Sequence, residues 1–290
     1  MRIGVWSYEI NRHLDRISEI VNRISFGKMS GAVGTMASFN EKGIEIQQAL
    51  MNKLDLHPVL VANQVIQRDR HAEVVFITAL IGQTLSKIAR EIRILQRNEI
   101  AEIFEPFKAE QVGSSTMPHK RNPHKSERIC SLARVLKSNV IVALDNIILE
   151  DERDITNSAS ERIIFAENFI LLDYMIEQLT EILKGLEFDE KKIEENLNLT
   201  RGACLTEKVM VELVRKGIGR QEGHELLRQA SIKARKEKIF MKDILFANNK
   251  IKKNFTKEEL EEIFNPHNYI GKAVEQVENL VEFLNEKYKL

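Results

Sequence analysis

The sequence predicts an all-α protein, a bundle of long helices followed by a smaller C-terminal helical domain. Apolar residues recur at steps of three and four through most of the chain. Its five prolines, Pro58, Pro106, Pro118, Pro123 and Pro266, leave 1–57 and 124–265 without the lost hydrogen bond and ring clash that break helices. Neither βαβ alternation nor an internal repeat is present.

Taken in order, Ile10, Leu14, Ile17, Val21 and Ile24 mark a first helix over 5–26. The small residues of "SGAVGTMAS" (30–38) then fit a tight loop or a close backbone approach. A helix follows over 41–54 and a very long one over 58–97, with Ile77, Ile81, Leu85, Ile88, Ile92 and Leu95 on one stripe. Its segment "VVFITALIG" (74–82) is apolar on nearly every side and should be enclosed all round, most simply by other subunits. Further helices are expected over 124–150 and 159–186, with shorter ones from about 190. The expected domains are 1–186 and 187–290, and the charge-rich 250–262 stretch is expected to be a solvated helix face.

Composition narrows the function. The 290 residues hold 43 Lys plus Arg and 43 Asp plus Glu, so no overall field favours nucleic acid or a membrane surface. Any attraction for anions must be local. Cys130 and Cys204 belong to no CxxC pattern and suggest reduced thiols and a cytoplasmic protein. The N-terminus enters a charged helical pattern directly, and no uncharged apolar run approaches ~18 residues, so neither a signal peptide nor a membrane span is expected.

The chemistry concentrates in "GSSTMPHKRNPHKSE" (113–127). Gly113 and the two serines after it suit a sharply turning backbone that exposes its amides. Asn122–Pro123 reads as an N-cap followed by proline at the first helical position. The loop would thus meet a helix N-terminus, where free N–H groups and the macrodipole favour negative charge. Lys120, Arg121, Lys125 and Arg128 add to that preference. Physically this is either an anion site flanked by hydroxyls or a solvated connection. No GxSxG elbow or GxxxxGK[ST] loop is present, and His119 and His124 lack metal-ligand spacing.

The loop resembles the SSxMPxKxNxxxxE signature of the fumarase/aspartase superfamily at every fixed position, and "SGAVGT" (30–35) resembles a second region of that superfamily. "QVIQRDRHAE" (64–73), "ERDITNSASERI" (152–163) and "GIGRQEGHE" (217–225) look most like the adenylosuccinate lyase family. Carboxymuconate cycloisomerases share "SSTMPHKRNP", and the 152–163 segment tips the choice. The resemblance spans essentially the whole chain but the last two-thirds of such an enzyme. It implies that the N-terminal domain, and an RTHxQ-like segment that supplies a catalytic histidine, lie outside these residues.

The resemblance implies a β-elimination releasing fumarate from adenylosuccinate and from the succinyl-carboxamide ribotide of purine synthesis, without cofactor or metal. By it, Ser114 is the base, with Ser115 its neighbour in the substrate site. Lys120 and Asn122 hold the substrate carboxylate and its developing charge, and Glu127 orients the loop or a histidine of another subunit. Arg153, Ser158 and Arg162 match phosphate- and nucleotide-binding positions, and Gln64 a substrate-contacting glutamine. Each has a plainer reading: Ser158-Ala-Ser-Glu161 is also a capping box, Arg162 an exposed ion-pair partner, and Gln64 a polar surface residue of the long helix. His71 is expected to be solvated or structural. The family assembles as a homotetramer whose sites draw on three chains, with the loop as a mobile lid. The 290 residues alone are therefore expected to be inactive, and a non-catalytic or partner-dependent helical oligomer on the same scaffold is the alternative.

Overall fold

A computed structural model describes residues 1–107 and 121–289. It divides into two compact units, one of Arg2–Glu99 with Ile103–Phe188, the other of Asp189–Leu290 with Met1 and Ile100–Glu102.

The first unit is a helical bundle of α1 (Arg2–Ile24), α2 (Gly43–Leu54), α3 (Asp69–Leu95), α4 (His124–Asp145) and α5 (Thr156–Lys184). Its strands are two-residue bridges: β1 (Phe26–Gly27) pairs in parallel with β2 (His57–Pro58), and β3 (Ile103–Phe104) antiparallel with β4 (Glu187–Phe188). α3 packs against α1, α4 and α5. Ile88 and Ile92 of α3, Ile129 and Leu136 of α4, and Met175 and Ile182 of α5 are fully buried in one core. Each such side chain contributes about 1.5–3 kcal/mol. At Gly82 a Cβ would meet Leu136 Cδ1 at 2.5 Å, so α3 and α4 approach closely there and a larger residue would displace the Leu136 side chain. A buried amide chain fixes the register of three helices: Asn139 of α4 donates to Asn168 of α5 (2.7 Å), which donates to Thr78 of α3 (3.0 Å).

Three expectations change here. The long helix starts at Asp69, not 58, because the backbone of 59–64 bonds to neighbouring segments instead. The Val59 amide donates to the Gly27 carbonyl (3.0 Å), and the Gln64 amide to that of Glu152 (3.3 Å). Gln64 therefore lies in a connecting segment. The 74–82 segment is enclosed largely by α1, α4 and α5 of its own chain, with Phe76 exposed, so its apolar surround does not require other subunits. α3 is long and apolar enough to cross a membrane by composition, and 61% of that window is buried inside the chain.

α1 packs unexpectedly. Its predicted stripe is not the face it buries: Leu14, Ile17 and Val21 are exposed, while Trp6, Asn11, His13 and Ile20 are buried. The buried polar side chains are satisfied across the seam. His13 Nε2 donates to Thr84 Oγ1 (2.8 Å), and the Thr84 hydroxyl donates to Glu9 (2.7 Å), which Lys87 also reaches. Arg16 donates to His13 Nδ1 (3.2 Å).

The second unit comprises α6 (Glu190–Leu197), α7 (Thr206–Arg215), α8 (Arg220–Glu237), α9 (Met241–Ala247), α10 (Asn249–Asn254), α11 (Lys257–Ile263) and α12 (Ala273–Tyr288). Leu213, Leu227, Met241, Leu245, Ile251 and Leu260 form its core, so the 250–262 stretch presents a buried edge as well as a solvated face. Thr256 and Glu259 form a reciprocal capping box that opens α11.

Burial and the Arg16 charge hold the His13 pKa below the ordinary histidine value of about 6.5. The unfolded chain then binds more protons than the native one below about pH 6.5, so stability falls as pH drops through that value. His71, half-buried beside Phe165, shifts the same way. His13→Gln is expected to flatten the decline in melting temperature between about pH 7 and 5.5. An unchanged slope would remove His13 from this linkage.

Candidate active site

Four segments meet at one end of the bundle: 27–36, 59–68, 146–155 and the first turns of α5. Gly34 has φ +84°, and a Cβ there would meet the Ala62 carbonyl oxygen at 1.9 Å, which explains the glycine in "SGAVGT". Lys28 Nζ donates to the carbonyls of Gly31 and Asn63, each at 2.9 Å, joining the same two segments. Burial lowers its pKa. Gln64 follows Asn63 directly and is exposed.

Gln64 is tied to the 146–155 segment through its amide bond to Glu152. Asp154 shapes that segment, accepting from the amides of Glu150 (2.6 Å) and Thr156 (2.7 Å) and from the Thr156 hydroxyl. These donors, the Glu150 amide foremost, lower its pKa. Arg153 is half-buried, and its Nε is buried with no hydrogen-bond partner among the described residues. Ser158 is half-buried and Arg162 exposed on α5. The capping-box reading of Ser158 is corrected: Ser158 lies inside the helix, Asp154 satisfies the Thr156 amide, and Glu161 turns to Arg68. Gln64, Arg153, Ser158 and Arg162 thus share one end of the bundle.

Asn122 and Glu127 lie at the other end. α3 and α4 run antiparallel, since Ala72 and Val75 pack with Ala143, while Gln96 donates to the Arg121 carbonyl (3.0 Å). The 22 residues of α4 span about 33 Å, so its two ends are that far apart. The structure does not bring Asn122 and Glu127 together with the other four. Ser114, Ser115 and Lys120 lie outside the described residues.

The N-terminus of α4 also differs from expectation. Pro123, not Asn122, is the N-cap, and Asn122 makes no side-chain cap. The first-turn amides already hold an anion: the Glu105 carboxylate, 3% exposed, accepts from the amides of Lys125 and Ser126 (3.2 Å each) and from the Ser126 hydroxyl (2.9 Å). His124 Nδ1 lies 3.6 Å from it, and the Glu105 backbone amide donates to Gln96 Oε1 (2.9 Å). Lys125 pairs with Glu181 (2.6 Å), Arg128 reaches the Tyr174 hydroxyl, and Arg121 lies over the Phe107 ring. This helix end, and these cations, therefore serve the fold's own partners first. Glu127 is exposed, with Arg93 at 3.9 Å.

Glu105, Lys28, Arg68 and Asp154 were not singled out from the sequence. The anchoring partners of Glu105, Lys28 and Arg68 are remote in sequence, whereas Asp154-Ile155-Thr156 is a short-range turn pattern that could have found Asp154. Among the described residues, no group of three or more His, Cys, Asp or Glu is placed to hold a metal.

Comparison with known proteins relates this helical bundle to lyases. Residues 1–136 match the family described as "Lyase", and residues 202–280 that described as "Adenylosuccinate lyase C-terminus". The adenylosuccinate lyases of Methanocaldococcus jannaschii and Pyrococcus abyssi are each 50% identical to it, over 99% of this chain and 63% of the relative. A 3-carboxy-cis,cis-muconate lactonizing enzyme from Pseudomonas putida superimposes with a TM-score of 0.89 at 28% identity, covering 97% of this chain and 62% of that one. The chain is thus similar, over almost its whole length, to adenylosuccinate lyases. It spans just under two-thirds of the length of these relatives.

Two substitutions test this construction. Gly34→Ala combines positive φ with a backbone collision and is expected to lower stability by several kcal/mol in a denaturant melt. Glu105→Gln keeps the shape but removes the charge that caps α4, and should cost about 1–3 kcal/mol by the same measurement. A loss below ~0.3 kcal/mol would show that the carboxylate does not hold this helix end.

Proposed function

We propose that this chain forms the central and C-terminal parts of a carbon–nitrogen lyase. It would release fumarate from adenylosuccinate, giving AMP, and from the succinyl-carboxamide ribotide. The observation that carries this reading is 50% identity with archaeal adenylosuccinate lyases across 99% of the chain. The lower identity to the muconate enzyme, 28%, favours this substrate over that of a cycloisomerase.

In this reading Ser114 removes the proton beside a substrate carboxylate. The freed electron pair forms the carbon–carbon double bond as the C–N bond breaks, and an acid outside the assigned set protonates the leaving nitrogen. Lys120 and Asn122 stabilise the charge that develops on the carboxylate. Arg153 and Arg162 supply cations, and Gln64 and Ser158 hydrogen-bonding groups, for the nucleotide.

The separation of the two groups by the length of α4 supports a composite site. Antiparallel association of copies would set the loop end of one chain against the nucleotide end of another, as a homotetramer provides. Leu14, Ile17 and Val21 on α1, with Ile163 and Ile170 on α5, offer apolar surface for such contacts. The unbridged Cys130 and Cys204 suit a cytoplasmic setting.

The test follows fumarate release from adenylosuccinate by the complete assembled protein. Ser114→Ala is expected to lower kcat about 10²–10⁴-fold, the range for loss of a general base. Arg153→Ala and Arg162→Ala are expected to raise KM. No turnover by the complete wild-type protein would favour the non-catalytic oligomer, and wild-type AMP binding after both arginine changes would point to another substrate. The 290-residue chain by itself is expected to release no fumarate.

A further inference from the structure

We propose that Arg68 and Glu161 act as a positioning clamp that sets the spacing between Gln64 and the Ser158–Arg162 turn. The clamp governs nucleotide binding rather than bond breaking, and it rests on the lyase reading above.

Arg68 donates Nε to Glu161 Oε1 and Nη2 to Oε2, both at 2.6 Å, a two-pronged pairing of residues 93 apart in sequence. The side chains are 13% and 14% exposed, unlike the open ion pairs elsewhere on the surface. A guanidinium fork on a carboxylate fixes direction as well as distance, and at this burial water competes poorly for it. His71 packs its ring edge on Phe165 in the next turns of the same two helices, stiffening the surround.

The placement is what assigns a role beyond stability. Arg68 closes the 59–68 segment four residues after Gln64. Glu161 lies on α5 between Ser158 and Arg162. The companion link, the Gln64 amide on the Glu152 carbonyl, is long at 3.3 Å. Lys28 holds the Asn63 carbonyl, so the Gln64 segment is pinned at Asn63 and at Arg68. If the Arg68 anchor is released, Gln64 keeps its backbone neighbours but loses its registry with α5.

The experiment is a double-mutant cycle with Arg68→Met and Glu161→Gln in the complete assembled protein. KM and kcat for adenylosuccinate, the melting temperature and hydrogen exchange at the Gln64 amide would be measured. Each single change is expected to raise KM about tenfold with kcat within about twofold, the double variant being no worse than either single. Arg68→Lys, which keeps the charge but not the fork, should fall between, and covers the case in which a neutral variant fails to fold. Unchanged KM, a fall in kcat alone, or additive single effects would overturn the clamp. Should the wild type release no fumarate, the lyase reading falls by itself. The clamp is then judged on the Gln64 amide: faster exchange in Glu161→Gln supports it, and unchanged exchange refutes it.

Discussion

A straight helix cannot bring its own ends together, and α4 imposes that constraint on the whole bundle. Its N-terminus is anchored by the Glu105 carboxylate and its far end packs through Ala143 against Ala72 and Val75 of α3. The buried Asn139–Asn168–Thr78 chain prevents sliding between these anchors. Slipping one residue would strand amide groups in a low-dielectric core, at about 1–3 kcal/mol for each group left unmade. The bundle is therefore a spacer. It presents one set of segments near Gln64 and Arg153 and another near Asn122 and Glu127, about 33 Å apart.

Much of this was legible in the sequence. The helical class follows from apolar period and proline placement, since both act locally. The start of α3 was not legible: residues 59–64 spend their backbone groups on Gly27, Lys28 and Glu152, partners that sequence spacing does not reveal. The face of α1 was misjudged for a related reason. Its stripe of Leu14, Ile17 and Val21 is real, but His13 is buried because α3 offers Thr84. Apolar period finds a face without saying what covers it.

The site residues divide in the same way. Positions recognisable by family pattern, such as Arg153, Ser158 and Arg162, are found at one end of the bundle, and the residues that position them, Asp154, Glu161 and Arg68, lie in the same family-like segments without marking their own partners. Asp154 folds the Arg153 segment by accepting backbone amides, and Arg68 reaches across 93 residues to Glu161. The Arg68–Glu161 partnership leaves no local signal, whereas Asp154 with Thr156 is a short-range turn pattern. The helix N-terminus was the opposite case: its preference for an anion was correctly anticipated, but the anion it holds is the buried Glu105 of the same chain.

That occupancy constrains any chemistry at this end. With Glu105 on the first amides and Lys125 on Glu181, the dipole of α4 and one nearby cation are already compensated. A substrate dianion approaching this end would meet the Glu105 carboxylate behind the amides, so the helix offers it little net attraction. In the proposed lyase, stabilisation of the developing charge must therefore come from side chains such as Lys120 and Asn122, or from another copy. The opposite end has a different balance: Asp154 is spent on backbone amides and Glu161 on Arg68, while Arg153 carries a donor without a partner among the described residues. What that end offers an anion is the open Arg153 donor, beside the acidic Glu150, Asp151 and Glu152. A phosphate suits that end, and a reacting carboxylate suits the loop end only when the loop supplies its own cation. In the proposed lyase, this asymmetry favours a composite site in which each copy provides the half that another lacks.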